Sequence, residues 1–339
     1  MMSDSPGLLD GAVAPAENTR LFGHGAAEQF LADAYRSGRM HHALLIEGPE
    51  GIGKATLAFR FANHVLSHPD PASAPARMAD PDPQSPAFRQ IMSGASHNLM
   101  HIDRPVDAKT GKAKSVITVD EVRKAARFFG QTSGTGNWRI AIIDPADDLN
   151  RNAANAILKI LEEPPKRALF FVLSHAPGKL LPTIRSRCLP LRLKPLSEAD
   201  LGRALGHLGV PGADPAALSR LSEGSVARAL MLINYGGADI ANAFDAIFDS
   251  GRADDRAAVY AIADTLSARD RDVAYQFFTG HVIDRVRGAA GAAASAGDLG
   301  AAAHWAELAG EIVAHFDTAE AYNLDRKQTV LSLFTMLFG

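Results

Sequence analysis

Apolar and polar positions follow one pattern before Pro195 and another after it. Between residues 42 and 193, four short and almost unbroken apolar runs are each typical of a strand buried on both faces. Amphipathic segments between the runs, with apolar residues three and four apart, predict helices. Strands that alternate with helices indicate an α/β domain, a parallel sheet with helices on both faces. The four runs are HALLIE, WRIAIID, ALFFVLS and CLPLRL.

After Pro195 the spacing of apolar residues is helical throughout. It predicts three short helices between residues 197 and 235, and longer helices from 238 to 339. A chain of 339 residues also exceeds the size of one ordinary core. We therefore predict an α/β domain over 21–195, a small helical domain over 196–237 and an all-α domain over 238–339. Residues 1–20 are small, polar and Pro-containing, and we expect them to be flexible.

One segment of the α/β region has a different composition. Residues 67–86 contain six prolines and three aspartates, which disfavour both a helix and a central strand. We predict that residues 67–98 form an exposed insertion.

Composition and charge narrow the possible functions. The net charge is −3, so no overall positive field favours nucleic acid, and such contacts would need a local patch or partner proteins. The single cysteine, Cys188, excludes an internal disulfide and a cysteine cage for a metal. The first 20 residues lack the pattern of a secretory signal, and no apolar run approaches membrane-spanning length. We expect a soluble, cytoplasmic protein without contact to a membrane.

The segment LLIEGPEGIGKATL, residues 44–57, has the pattern of a phosphate-binding loop. Gly48, Gly53 and Lys54 match G-x-x-x-x-G-K between a predicted strand and a predicted helix, the setting that makes the motif credible. Glycines, with Gly51 among them, let backbone N–H groups approach phosphates, and the helix N-terminus adds positive potential. A lysine in this position would reach the outer phosphates.

Two groups that such a site needs for magnesium chemistry are missing. The hydroxyl residue that should follow the lysine is Ala55, and Thr56 lies about 100° further around the helix. Asp144, at the end of the next predicted strand, is a suitable metal ligand, but Pro145 replaces the neighbouring acid. Asp147 or Asp148 could substitute. The sequence predicts weak or absent binding of ATP and magnesium, and no hydrolysis by this chain.

Longer stretches resemble the clamp-loader branch of the AAA+ proteins. They are LNRNAANAILKILEEPP, LFFVLS and LLPTIRSRC, and within the branch they are most similar to delta-prime-type subunits of bacterial DNA polymerase III. The resemblance covers residues 20 to about 235, and is weaker in YNLDRKQTVLSLF near the C-terminus. It implies an AAA+ core, a helical lid and a helical collar for oligomerisation. Many relatives also carry four cysteines after the first helix, and because this chain has none there, we expect no zinc.

The resemblance also implies roles for single residues. In the family, the arginine of the Ser186–Arg187–Cys188 motif projects into the ATP site of a neighbouring subunit, so Arg187 would be an arginine finger in trans. Ser174 stands where relatives carry a γ-phosphate sensor, and Arg228 where the lid places an arginine over the nucleotide. The implied partners are ATPase subunits of the gamma/tau type, a delta-like subunit and, through the complex, the sliding clamp and primed DNA.

Two alternatives stay open. The chain could be an ATP-hydrolysing subunit of the gamma/tau type, with Thr56 and Asp147 completing the metal site. It could also be a free-standing P-loop nucleotide-binding enzyme, although no segment supplies an acceptor site for such chemistry.

Overall fold

A computed structural model describes residues 8–106, 114–130, 137–210, 215–251, 255–269 and 271–339. The chain divides into two compact units, residues 1–227 and 228–339. The three-domain division predicted from the sequence, with boundaries after 195 and 237, remains a proposal beside this division into two. No helix among the described residues is both long and apolar enough to span a membrane.

The first unit contains a five-stranded sheet in the order β2-β3-β4-β1-β5, and every neighbouring pair is parallel. The predicted parallel sheet is confirmed, but four strands were predicted and the structure adds β2. This strand was missed because LMHI is short and is interrupted by a histidine. The strands are β1 (Ala43–Glu47), β2 (Leu99–Ile102), β3 (Arg139–Ile143), β4 (Ala168–Ser174) and β5 (Leu189–Arg192).

Nine helices are described in this part of the chain, the last of which runs on into the second unit. Several of their N-termini are capped by side chains that the sequence places there; Asn150, for example, accepts from the backbone N–H of Ala153. The helices are α1 (Gly25–Arg36), α2 (Lys54–Ser67), α3 (Pro86–Met92), α4 (Val119–Gly130), α5 (Arg151–Glu162), α6 (Pro182–Arg185), α7 (Glu198–His207), α8 (Pro215–Ser222) and α9 (Val226–Asn234).

Helices cover both faces of the sheet, as predicted, because successive strand residues point to opposite sides. Leu44 and Ile46 of β1 belong to one apolar cluster, together with residues of α1 and α2. Leu45 of the same strand belongs to a second cluster, with residues of α4, α5 and α6. Burial on both faces explains why β1, β3 and β4 are continuous apolar runs in the sequence. The edge strand β5, predicted from CLPLRL, is mostly exposed.

Most residues of the segment 67–98 are exposed, as predicted, but several apolar side chains in it are buried. It contains α3, capped by Ser85, and Phe88 and Ile91 of this helix are buried. Ala74, in the proline-rich part, is also buried, at 4% exposure. Phe88 and Ile91 lie three residues apart, so the helical spacing was present in the sequence and the prolines before it concealed it.

A buried arginine fixes the proline-rich part of this segment. Arg60 of α2 is 4% exposed, and its guanidinium bonds to Glu28 of α1 at 2.9 Å and to Asp80 at 3.0 Å. The same guanidinium donates to the carbonyl of Thr19. Residues 8–20, predicted to be flexible, are therefore partly held in place, while residues 1–7 lie outside the described part of the chain.

The second unit is purely helical, which confirms the predicted all-α C-terminal region. Its core is one apolar cluster to which all five of its long helices contribute, including Phe244, Phe278 and Leu333. The helices are α10 (Gly237–Ser250), α11 (Arg256–Ser267), α12 (Asp272–Ser295), α13 (Leu299–Ala321) and α14 (Arg326–Phe338).

Candidate nucleotide site and arginine motif

The phosphate loop connects β1, in the interior of the sheet, to the first residue of α2. Its three glycines have φ angles of 151° at Gly48, 74° at Gly51 and 103° at Gly53, which L side chains rarely adopt. A Cβ at Gly51 would lie 2.4 Å from the Cβ of Ala227, and one at Gly48 would lie 2.6 Å from the carbonyl oxygen of Leu193. Both the conformation and the space therefore require glycine at these positions.

Lys54 lies inside the loop and is 4% exposed. Its Nζ donates to the carbonyl oxygens of Gly48 at 2.6 Å and Pro49 at 2.5 Å. Burial lowers the pKa of Lys54 to about 8, and nearby carboxylates of Asp144 and Glu50 oppose part of that change. The ammonium is thus bonded to the chain's own backbone at the place where the motif would receive a phosphate.

The start of α2 has no hydroxyl on the residue after the lysine. Ala55 packs against the apolar cluster that contains residues of α1 and α2. Thr56, which the sequence offered as a substitute, is buried at 7% exposure. That Thr56 replaces the missing metal ligand stays a prediction.

Asp144 follows the last residue of β3, at the carboxyl edge of the sheet. Burial raises the pKa of its carboxyl, and the charges of His101, His175 and Lys54 oppose this shift. The Nε2 atom of His101 lies 4.0 Å from its Oδ2 atom. Asp144, the acid predicted to bind magnesium, therefore lies close to three basic side chains, those of His101, His175 and Lys54.

Asp147 bonds to the end of the neighbouring strand. Its carboxylate accepts from the Oγ of Ser174 at 2.7 Å and from the backbone N–H groups of His175 at 2.6 Å and Ala176 at 3.3 Å. Ser174 itself is fully buried. Ser174, the predicted phosphate sensor, and Asp147, the predicted substitute acid, are therefore bonded to each other. The other candidate acid, Asp148, has its Oδ2 atom 3.5 Å from the Nε atom of Arg104.

Two histidines near the loop were not singled out from the sequence. His24 is 5% exposed and donates from Nε2 to the carbonyl oxygen of Ile52 at 2.7 Å, which ties the loop to the segment before α1. His175 has a buried Nδ1 atom without a partner among the described residues. Burial and the charge of Lys54 lower its pKa. The available signal was the position of His175 directly after the carboxyl end of β4, the edge of a parallel sheet at which ligands bind.

The Ser186–Arg187–Cys188 motif lies between α6 and β5. Cys188 is 7% exposed, and burial raises its pKa to about 12. Arg187 points away from that core, with a side chain that is 34% exposed. Its Nη2 atom lies 2.6 Å from Oε1 of Glu162, and Nη1 donates to the carbonyl oxygen of Thr183 at 3.0 Å.

Arg228, the predicted lid arginine, is the first residue of the second unit. Its Nη1 atom lies 2.8 Å from Oδ2 of Asp284 in α12, and its side chain is 20% exposed. Its role at a nucleotide remains a prediction. Among the described residues, no group of three or more His, Cys, Asp and Glu side chains has an arrangement that could hold a metal ion.

A glycine-rich loop with a buried lysine, set between a parallel strand and a helix, defines the first unit as a P-loop nucleotide-binding fold. Comparison with known proteins narrows this class. The sequence model of a family described as "DNA polymerase III, delta subunit" matches residues 23–197, which is more than half of the chain. The chain therefore belongs to this family.

Comparison with individual proteins also finds subunits of DNA polymerase III. The chain is 37% identical to the DNA polymerase III subunit delta' of Pseudomonas aeruginosa over 168 residues, 48% of each protein. It is 30% identical to the delta' subunit of Escherichia coli, over 60% of this chain and 57% of the relative. It is also 31% identical to the tau subunit of Escherichia coli, over 60% of this chain and 30% of the relative. The chain spans only about half the length of its delta' relatives.

Proposed function

We propose that this protein is a delta-prime-like subunit of a bacterial DNA polymerase III clamp loader, with a phosphate loop that no longer supports ATP hydrolysis. The observation that carries the proposal is the bonding of Lys54 to the carbonyl oxygens of Gly48 and Pro49. The lysine that should hold the outer phosphates donates instead to backbone carbonyl oxygens of its own loop. Family membership and the delta' relatives support the same assignment.

The remaining groups of the site support this reading. Ala55 cannot bind magnesium through a side-chain oxygen, and a P-loop site normally holds magnesium with a hydroxyl and an acid. The carboxylate of Asp147 already accepts from three donors, so its use as a base or metal ligand would break the contact between β4 and the turn after β3. Nucleotide binding is therefore weak or absent, and the subunit needs neither zinc nor another cofactor.

In the assembled complex, Arg187 acts in trans on ATP bound by a neighbouring subunit of the gamma/tau type. Its side chain is the partly exposed cation of the motif, and an arginine of this kind stabilises charge on the transferred phosphoryl group. The helical C-terminal region provides the collar through which the subunits associate, and α7 to α9 form a lid. The complex then holds the sliding clamp and loads it onto primed DNA in the cytoplasm.

Binding and hydrolysis of ATP by the isolated protein test the state of the loop. We expect neither tight binding in calorimetry nor turnover, with or without magnesium, and no difference between the native protein and Lys54→Ala. Turnover that Lys54→Ala abolishes would show that the loop is active and would overturn the proposal.

An ATP-hydrolysing subunit of the gamma/tau type is the second candidate. It is favoured by the similarity to gamma and tau subunits, which extends over more of this chain than the match to the Pseudomonas delta' subunit does. In that case Thr56 and Asp147 would have to complete the metal site. Magnesium-dependent turnover lost in both Thr56→Ala and Asp147→Asn would support this candidate over the first.

A further inference from the structure

The contact between Arg187 and Glu162 joins the end of α5 to the turn that follows α6 in the first unit. Glu162 is the last residue of α5, and its Oε1 lies 2.6 Å from Nη2 of Arg187. The carbonyl oxygen of Thr183 in α6 accepts from Nη1 of the same guanidinium at 3.0 Å. The arginine is therefore held at two points, one on each helix, which restricts the rotation of a long side chain that would otherwise be free.

Both residues of the pair are attached to rigid backbone. Leu161, directly before Glu162, is 1% exposed, and Cys188, directly after Arg187, is 7% exposed. These two side chains and Ile184 of α6 belong to the same apolar cluster. Because the neighbours of both charged groups are packed into one core, the backbone at each end of the ion pair is fixed, although the side chains of Arg187 and Glu162 are 34% and 47% exposed.

The negative charge of Glu162 is unfavourable at the end of α5, and the ion pair with Arg187 offsets this unfavourable free energy. Carbonyl groups at the end of α5 disfavour a negative charge there, because the helix macrodipole has its negative end at the C-terminus. Glu163, the next residue, is exposed and makes no ion pair among the described residues. The chain thus offers two adjacent acids, of which only one contacts the arginine.

The two bonds leave part of the guanidinium available. A guanidinium has five N–H donors in one plane, and the contacts with Glu162 and Thr183 use one donor from each Nη atom. The remaining donors of the arginine, including Nε–H, can bind the oxygens of a phosphate group, for which the planar fork of arginine is well suited.

We propose that Glu162 is a positioning residue that holds the Arg187 guanidinium in the orientation in which its remaining N–H groups meet the terminal phosphate of a nucleotide bound by a neighbouring subunit. The inference rests on the proposed function, since it assigns how the same arginine is presented. Glu162 does not contact the nucleotide itself. It acts through the arginine, by removing rotational freedom that would have to be lost when the transition state forms.

The test uses the reconstituted complex with ATPase subunits of the gamma/tau type, in which ATP hydrolysis is measured over a range of ATP concentrations. We expect Glu162→Ala to lower kcat about tenfold with little change in KM, because an arginine that acts on the transition state affects the chemical step. Glu162→Gln keeps an acceptor for Nη2 and should retain more of the activity. Glu163→Ala and Arg185→Ala, exposed residues beside the pair, are the matched controls and should behave like the native complex.

Each outcome separates this inference from the function on which it rests. If Arg187→Ala lowers kcat strongly while Glu162→Ala behaves like Glu163→Ala, Glu162 does not position the arginine, and the trans role stands. If Arg187→Ala has no effect, the trans role of Arg187 and this inference both fail, while the assignment of the inactive phosphate loop stands. A loss in Glu162→Ala that follows reduced thermal stability or incomplete assembly, and that Glu162→Gln does not relieve, would mean a structural role only and would also overturn the inference.

Discussion

Two basic residues of the first unit differ in their surroundings. Lys54 lies at the end of the loop after β1, and Arg187 lies in the Ser186–Arg187–Cys188 motif just before β5. Lys54 is 4% exposed and bonded to two carbonyl oxygens of its own loop. The Arg187 side chain is 34% exposed and is held by Glu162 and Thr183 at the surface. One cation is directed into the chain, and the other lies at the surface.

Under the proposed function, a nucleotide-binding fold keeps its architecture while its chemistry moves from the phosphate loop to the arginine motif. Around the loop, polar groups bond to each other, as Asp147 does with Ser174. At the arginine motif, the ion pair fixes the direction of a group that keeps donors available. The four predictions that follow test this contrast, beginning with the largest expected effect.

Arg187→Ala should reduce ATP hydrolysis at the one neighbouring site that Arg187 contacts in the assembled complex about 10³-fold, the lower end of the range for arginine fingers. Assembly should persist, since the side chain is partly exposed and lies outside the apolar core. Steady-state hydrolysis and size-exclusion chromatography measure the two quantities, with Arg185→Ala as the control. An unchanged rate of ATP hydrolysis would mean that Arg187 takes no more part in the chemistry than Lys54 does.

Lys54 should give the protein a characteristic pH dependence of stability. Its pKa is lowered from 10.5 to about 8 by burial, so between these values the unfolded chain binds more protons than the folded one. Stability then rises with pH through this window, and below pH 8 the buried charge costs up to roughly 3 kcal/mol.

Denaturant unfolding of the native protein and of Lys54→Met at pH 7.5, 9 and 10.5 isolates this contribution. The stability of the native protein relative to the variant should increase with pH. A difference that stays constant would mean that the ammonium is solvated, and that the loop is open to phosphate.

Asp147→Ala should lower the free energy of unfolding by about 2 kcal/mol, because it leaves the buried Ser174 hydroxyl and two backbone N–H groups without an acceptor. Asp148→Ala is the matched control, since its carboxylate lies 3.5 Å from the partly exposed Arg104. Equal, small effects in both variants would indicate that Asp147 is available for metal chemistry, as the gamma/tau-like alternative requires.

Ala55→Ser, which restores the missing hydroxyl, should produce the smallest change. We expect no measurable ATP turnover by the isolated variant, because Lys54 and Asp147 remain engaged elsewhere in the site. Magnesium-dependent turnover in Ala55→Ser would show that a single hydroxyl separates the loop from an active site, and that the carbonyl contacts of Lys54 do not prevent nucleotide binding.

Much of the fold could be predicted because its signals are local. Buried parallel strands are continuous apolar runs, and α4 and α5 carry apolar residues at helical spacing. β2 was missed because it has only four residues, which include His101, and of these only Ile102 is buried. The prolines of segment 67–98 predict its exposed, irregular backbone, but not its attachment to α1, because Arg60, which bonds to both Glu28 and Asp80, comes earlier in the chain.

The sequence by itself determined the parallel α/β core, the helical C-terminal region, the position of the phosphate loop and the absence of a hydroxyl at Ala55, because each depends on residue types within one short stretch. Only the tertiary structure decided which groups are engaged: Lys54 with its loop, Asp147 with Ser174, and Glu162 with Arg187. Each of the last two pairs joins residues about 25 positions apart. Such partners depend on how strands and helices pack, and a local pattern does not contain that information.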